Sequence, residues 1–113
     1  MIEIYHNPRC TKSRETLQLL ESKGIEPKVI EYLKDVPTEK ELKGILKKLG
    51  IKANDLLRKN ETIFKELYKG KELSEDEWIK AMIQHPKLIE RPIVINDQKA
   101  ALGRPPEKVL DIL

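Results

Sequence analysis

The stretch Ile2-Glu3-Ile4-Tyr5-His6-Asn7-Pro8-Arg9-Cys10-Thr11-Lys12-Ser13-Arg14 decides the fold of this chain. Residues Ile2–Tyr5 are predicted to form an apolar strand, and a helix is predicted to begin at Thr11. Pro8 favours an extended residue before it, which suits the exit from a strand. Cys10, the only cysteine of the chain, therefore lies where the strand ends and the helix begins.

The surroundings of Cys10 favour a reactive thiolate. A lone cysteine is more often a small buried hydrophobic residue. Here the neighbours are polar and basic: Arg9, Lys12 and Arg14 lie within four residues of Cys10, and His6 lies four residues before it. The free N–H groups of a helix N-terminus and nearby cations both lower the pKa of a thiol.

Length and composition restrict the class of protein. A chain of 113 residues predicts one domain, residues 1–113, with a core that needs no disulfide. Charged residues make up 36%, with 22 Lys and Arg against 19 Asp and Glu, so the dispersed net charge of +3 argues against a nucleic-acid partner. One cysteine and two histidines argue against a disulfide and a metal site within the chain.

The distribution of apolar residues predicts a location. No apolar run approaches the roughly 20 residues that a membrane span requires. The first residues are strand-like and reach a charge at Glu3, which differs from a signal peptide. We therefore expect a soluble, cytoplasmic protein that makes no membrane contact, and we expect it to be a monomer.

The element order predicts an α/β protein. Capping-box patterns at Thr38/Glu41 and Ser74/Glu77 mark two helix starts, and Gly24 and Gly50 mark helix ends. The final helix is predicted to turn Val109, Leu110 and Leu113 inward. The predicted elements are strand Ile2–Tyr5, helix Thr11–Lys23, strand Lys28–Tyr32, a helix ending at Leu49, a helical turn Asn54–Lys59, helix Asn60–Tyr68, a helix ending at Gln84, strands Ile93–Asn96 and Lys99–Leu102, and a helix that opens at Pro105 and Pro106.

This order predicts a thioredoxin-like fold. It reads β-α-β, then a helical insertion over about residues 36–90, then β-β-α. In such folds a thiol at the start of the first helix performs redox chemistry. The residue that would be the second thiol of a dithiol motif is Ser13, because Cys10 and Ser13 form a C-x-x-S pattern. Serine cannot form a disulfide, so a modified Cys10 must be released by a thiol from another molecule.

Three arginines stand at element boundaries and are candidate anion ligands: Arg58, Arg91 and Arg104. The planar guanidinium donates two hydrogen bonds to an oxyanion and keeps its charge. A solvated or ion-paired arginine remains an alternative for each of them. In a thioredoxin-like fold the segment that leads into the third strand passes beside the reactive cysteine, and Arg91-Pro92 is the candidate cis peptide bond there.

Taken together, the motifs resemble the glutaredoxin-coupled arsenate reductase (ArsC) family over essentially the whole chain. The matching motifs are Tyr5-His6-Asn7-Pro8-x-Cys10, Leu56-Leu57-Arg58-Lys59, His85-Pro86-x-Leu88-Ile89-x-Arg91-Pro92-Ile93-Val94 and Gly103-Arg104-Pro105.

The resemblance implies an enzyme in which the thiolate of Cys10 attacks arsenate and displaces water. It implies glutathione as co-substrate, glutaredoxin as partner and no bound cofactor. It also implies site residues: Arg58, Arg91 and Arg104 for the oxyanion, with Asn7 among the substrate-binding positions, His6 for the low pKa of the thiol, and Ser13 and Arg14 beside the thiolate.

The chain departs from well-studied arsenate reductases in two places. Thr11-Lys12 follows the cysteine where those proteins tend to carry Gly-Thr, and the sequence ends at Leu113 without their C-terminal extension. Both features resemble a short ArsC-like branch, for which oxyanion chemistry at a thiol is a broader expectation than arsenate itself.

Two other functions remain open from the sequence. Spx-type regulators share the predicted fold, the cysteine position and an Arg-Pro-Ile segment, and they bind RNA polymerase. A glutathione-linked thiol oxidoreductase without a metalloid substrate would also need a thiolate at Cys10. The sequence argues against a phosphatase-type loop, because such a loop requires arginine at the position that Thr16 occupies. The positions of the arginines and the helical insertion argue against a monothiol glutaredoxin.

Overall fold

The computed structural model describes residues 1–113 and contains one four-stranded mixed sheet. The strands are β1 (Ile2–Tyr5), β2 (Lys28–Ile30), β3 (Ile93–Asn96) and β4 (Lys99–Leu102), in the spatial order β2-β1-β3-β4. β1 pairs in parallel with β2 and antiparallel with β3, and β3 and β4 form an antiparallel hairpin. The predicted thioredoxin-like α/β fold is confirmed.

The chain divides into two units. The first consists of Met1–Asp35 and Arg91–Leu113 and contains the whole sheet, and the second is Val36–Glu90. The second unit spans the residues that the sequence predicted as a helical insertion. None of the helices is both long enough and apolar enough to cross a lipid bilayer.

The core of the first unit lies between the sheet and the two helices of that unit. Ile4 and Val94 are opposite each other on β1 and β3, and both are fully buried. Helix α1 (Thr11–Ser22) contributes Leu20 to the same cluster. The N–H groups of three residues after Leu20 bond to the last turn of α1, and Gly24 adopts the positive φ that ends the helix as predicted.

The last helix differs from its prediction. It is a 3₁₀ helix, Pro106–Ile112, rather than an α-helix. With three residues per turn, side chains three positions apart share a face, so Pro106, Val109 and Ile112 are buried. Leu110 and Leu113, predicted to face inward, are 39% and 44% exposed. Only Val109 of the three predicted core residues of this helix was correct.

The second unit is helical. It contains α2 (Glu39–Leu49), α3 (Ala53–Leu56), α4 (Thr62–Leu67) and α5 (Glu75–Gln84), followed by a 3₁₀ helix, Pro86–Leu88, that the sequence did not predict. α5 packs against α2, α3 and this 3₁₀ helix. The predicted boundaries of the two short helices were off by a few residues because neither carries a side-chain N-cap.

Both predicted capping boxes are present. Thr38 accepts a hydrogen bond from the backbone of Glu41, whose carboxylate accepts one in return, and Ser74 and Glu77 repeat the pattern. Each cap satisfies N–H groups that the first turn leaves without partners. Below the second cap, Trp78 lies in the core and stacks on Phe64 with ring centroids 6.0 Å apart.

Candidate active site around Cys10

Cys10 is the N-cap residue of α1. Its backbone is extended, its N–H donates to the carbonyl of Asn7 at 3.0 Å, and its carbonyl accepts the first helical hydrogen bond from Arg14. The register of the sheet fixes this loop, because the N–H of His6 continues the β1–β2 pairing by donating to Ile30 at 2.8 Å. The sulfur is half-buried at the mouth of the helix, where N–H groups of the first turn have no helical acceptor.

The environment of Cys10 favours the thiolate. Burial raises the pKa of the thiol, but hydrogen bonds from the backbone of Ser13, from the side chain of Arg91 and from the backbone of Lys12 outweigh it, so the pKa lies below the ordinary value. The positive charge of Arg91 acts in the same direction. The site therefore holds a nucleophile and a cation in direct contact.

Ser13 connects the sulfur to the loop that precedes it. The backbone of Ser13 forms a hydrogen bond with the sulfur of Cys10. Its hydroxyl is fully buried, contacts Nδ1 of His6 and accepts a hydrogen bond from the N–H of Asn7 at 3.0 Å. Burial lowers the pKa of His6; the carboxylate of Glu31 opposes this shift, and the charge of Arg14 reinforces it. The imidazole of His6 thus contacts the first turn of the helix that carries the N–H donors.

Asn7 and Arg14 hold the cysteine loop. The side-chain oxygen of Asn7 accepts the N–H of Arg9 at 3.0 Å. The guanidinium of Arg14 donates to the carbonyl of Pro8 at 3.0 Å and to the hydroxyl of Thr11 at 3.3 Å. Through these contacts Asn7 and Arg14 stabilise the conformation of the cysteine loop. The substrate contact predicted for Asn7 and the thiolate contact predicted for Arg14 stay predictions.

Arg91 and Arg104 meet on the other segment of the first unit. The cis bond predicted at Arg91-Pro92 is confirmed, and a second one occurs at Arg104-Pro105. Arg104 Nη1 donates to the carbonyl of Arg91 at 3.2 Å, and the N–H of Gly103 donates to the carbonyl of Pro92 at 2.9 Å. Two of the three predicted arginines are therefore joined to each other, and one of them contacts the sulfur.

Arg58 belongs to the second unit. Its backbone N–H donates to Leu88 at 2.8 Å, and Leu57 and Ile89 form an isolated antiparallel bridge. This pairing places its guanidinium between two carboxylates, with Nη1 2.7 Å from Glu61 and Nε 3.3 Å from Glu90. Arg58 is thus ion-paired within its own unit, and its role toward an oxyanion stays a prediction. No group of three or more His, Cys, Asp or Glu side chains is arranged to hold a metal ion.

Comparison with known proteins decides the family. The sequence profile described as the ArsC family matches residues 5–112. The chain belongs to the ArsC family.

Relatives of this ArsC protein extend over its whole length. It is 52% identical to an arsenate reductase of Haemophilus influenzae, over 97% of each chain. It is 50% identical to the uncharacterised protein YfgD of Escherichia coli, over 99% of this chain and 96% of that one. Among solved structures, an arsenate reductase from Vibrio cholerae superposes with a TM-score of 0.96 at 52% identity, covering 99% of this chain and 97% of that one.

Two features of this ArsC site were not deduced from the sequence. Thr16 is fully buried and donates from its hydroxyl to the carbonyl of Lys12 at 2.8 Å, which supports the first turn of α1. Gly103 lies close to the side chains of Thr16 and Pro92. A Cβ at this position would be 2.5 Å from Oγ1 of Thr16 and 2.8 Å from Cγ of Pro92. Thr16 lies four residues, about one helical turn, before the buried Leu20, and this spacing was the available signal for its burial.

Proposed function

We propose that this chain reduces arsenate to arsenite, with the Cys10 thiolate as the nucleophile that attacks arsenic. The observation that carries the proposal is the hydrogen bond from Arg91 to the sulfur, which places a cation for the oxyanion beside the attacking atom. Membership of the ArsC family and arsenate reductases among the relatives at 45–52% identity support the choice of arsenate.

The reaction that we propose is balanced by two external thiols. Cys10 forms a sulfur–arsenic bond to arsenate, and an arsenic-bound oxygen leaves as water. A first thiol then adds its sulfur to arsenic with loss of a second water. A second thiol attacks the sulfur of the first, a disulfide forms, and the electron pair passes to arsenic, which becomes As(III). Water then hydrolyses the Cys10–arsenic bond and releases arsenite.

The residues of the site explain why the proposed reaction needs thiols from other molecules. Cys10 is the only cysteine, and Ser13 has its hydroxyl buried against His6 and Asn7, so the chain contains no resolving thiol. We assign the first thiol to glutathione as co-substrate, and the second to glutaredoxin as partner. The cytoplasmic location and the monomeric state stay predictions from the sequence.

In this proposal the arginines have different roles toward the oxyanion. Arg91 binds the anion while stabilising the thiolate, and Arg104 holds the backbone of Arg91 and adds charge. Donors that are held in place before substrate arrives stabilise developing negative charge with little rearrangement. Arg58 is ion-paired with Glu61 and Glu90 in the second unit, and its role toward the oxyanion stays a prediction from the sequence.

Arsenate reduction by the purified protein tests the proposal, with glutathione and glutaredoxin each omitted in turn. We expect arsenite production that requires glutathione and that disappears in Cys10→Ser. Ser13→Ala is a comparison variant that keeps the sulfur and the backbone N–H but removes the hydroxyl. Sustained arsenite production by Cys10→Ser would overturn the proposal, and turnover of mixed disulfides without arsenate reduction would replace it with a thiol oxidoreductase.

A further inference from the structure

Thr16 is a buried polar residue in the second turn of α1. It is fully buried, and its hydroxyl donates to the carbonyl of Lys12 at 2.8 Å. A threonine within a helix often satisfies its hydroxyl on the carbonyl four residues before it, so the hydrogen bond alone assigns no function. What distinguishes Thr16 is the peptide group to which that carbonyl belongs.

The carbonyl of Lys12 and the N–H of Ser13 belong to one planar peptide group. The N–H end of this group donates a hydrogen bond to the sulfur of Cys10. Burial opposes the thiolate, and among the contacts that favour it the hydrogen bond from the backbone of Ser13 is the largest. The hydroxyl of Thr16 therefore contacts one end of a peptide group whose other end contacts the sulfur. A hydrogen bond accepted by a carbonyl polarises its peptide group and strengthens the bond that the N–H donates.

Packing against Gly103 keeps the side chain of Thr16 in this orientation. A Cβ at Gly103 would be 2.5 Å from Oγ1 of Thr16 and 3.1 Å from its Cγ2, so both branches of the threonine lie against this glycine. Gly103 is itself held, because its N–H donates to the carbonyl of Pro92 at 2.9 Å. A β-branched side chain has few χ1 rotamers, and the contact with Gly103 leaves little space to change between them.

We infer that Thr16 is a positioning residue for the nucleophile: its hydroxyl orients and polarises the peptide group between residues 12 and 13, so that the N–H of Ser13 holds the sulfur of Cys10. Thr16 carries no charge, so it acts through this peptide group, whereas Arg91 acts on the sulfur through its charge as well. For its consequence in catalysis the inference rests on the proposed function, in which Cys10 attacks arsenic as a thiolate.

Alkylation of Cys10 against pH tests the inference. Thr16→Val keeps the shape of the side chain but removes the hydroxyl, and residue 16 keeps a backbone N–H at the helical spacing from the carbonyl of Lys12. The alkylation curve should move to higher pH by about 0.3–0.6 pH units, a fraction of the effect of one hydrogen bond to a charged group. Thr16→Ser keeps the hydroxyl and should retain the curve of the parent protein.

Stability measurements separate positioning from packing. Thr16→Ser removes a buried methyl group, so its free energy of unfolding should fall while its alkylation curve stays in place. An alkylation curve unmoved in Thr16→Val, or moved equally in Thr16→Ser, would overturn the inference. If Thr16→Val does not fold, Thr16→Ala and Thr16→Ser provide the same comparison, because they differ only in the hydroxyl, and only the alanine variant should move the curve.

Ser22→Ala is the matched control in the same helix. The hydroxyl of Ser22 donates to the carbonyl of Leu19 at 2.6 Å, but that peptide group lies about two and a half helical turns after Cys10. Loss of this hydrogen bond should leave the alkylation curve of Cys10 unchanged. An equal movement of the curve in Ser22→Ala and Thr16→Val would overturn the inference.

Turnover separates failure of the inference from failure of the proposed function. In Thr16→Val, kcat/KM for arsenate should fall about two- to fourfold at pH values below the pKa of Cys10 and stay near that of the parent protein above it, because the fraction of thiolate changes. A displaced alkylation curve in a protein that reduces no arsenate would retain the role of Thr16 and refute the proposed function. Arsenate reduction with an unmoved curve in Thr16→Val would refute this inference alone.

Discussion

Arg104 donates a hydrogen bond from Nη1 to the carbonyl of Arg91, the residue whose guanidinium contacts the sulfur of Cys10. The adjacent Gly103 donates its N–H to the carbonyl of Pro92. Two consecutive residues therefore bind two consecutive carbonyls of the segment that delivers Arg91. Arg104 can therefore influence the thiolate through Arg91.

The first prediction concerns this pair. Arg104→Ala should lower kcat/KM for arsenate about tenfold or more, because a charge-assisted hydrogen bond that orients Arg91 is lost. The pKa of Cys10 should rise in the same variant, because Arg91 is then held less firmly beside the sulfur. Arsenite production and alkylation of Cys10 against pH measure the two effects.

A double-mutant cycle provides the control. If Arg104 acts through Arg91, then Arg104→Ala should cost much less in an Arg91→Ala background than in the parent protein. Additive losses in kcat/KM would show that the two arginines act independently and would contradict the prediction.

The second prediction concerns the space at Gly103. Gly103→Ala should destabilise the protein by about 1–3 kcal/mol, because its Cβ would overlap Thr16 and Pro92. Gly44→Ala is the matched control: Gly44 lies within α2, a Cβ there would meet no atom within 4 Å, and alanine should stabilise by roughly 0.5–1 kcal/mol. Urea unfolding measures both, and equal effects in the two variants would contradict the packing argument.

The fold was predictable because its signals are local. The strand before Cys10, the capping boxes at Thr38 and Ser74 and the stop at Gly24 each depend on a few neighbouring residues. The prediction of the last helix was wrong because its type is not set by local signals. Apolar residues at Val109 and Leu110 are compatible with either helix type, and the choice depends on which side chains the sheet can cover.

The candidate site was predictable in its residue types but not in its connections. Basic neighbours and a helix start indicated a thiolate at Cys10, and this agrees with its lowered pKa. That Arg14 bonds to Pro8 and Thr11, or that Arg104 bonds to Arg91, depends on side-chain geometry set by tertiary packing. The close approach of Gly103 to Thr16 joins residues distant in sequence, which local patterns do not encode.

The third prediction concerns the pH dependence of the thiol. Burial opposes ionisation of Cys10, and Arg91 is one of the groups that overcome it, so its pKa lies below the ordinary value. Removing the cation in Arg91→Ala should therefore raise the pKa and move the alkylation curve of Cys10 to higher pH. Arg91→Lys keeps a charge but loses the planar fork, so its curve should lie nearer that of the parent protein while arsenate turnover remains impaired. An alkylation curve unchanged in Arg91→Ala would contradict the contact.

The last prediction concerns His6 and stability. Burial lowers the pKa of His6, so the unfolded chain binds a proton more readily than the folded one. The contribution of His6 to the free energy of unfolding is present in full above the ordinary histidine pKa of about 6.5. It is lost as the pH falls from there through the lowered pKa of His6 in the folded protein. The free energy of unfolding should thus decrease toward acid more steeply in the parent protein than in His6→Gln, which cannot titrate. Urea unfolding at several pH values measures the difference, with His85→Gln as the control for the other histidine. A difference between parent and His6→Gln that is constant with pH would show that His6 is not held neutral by the fold.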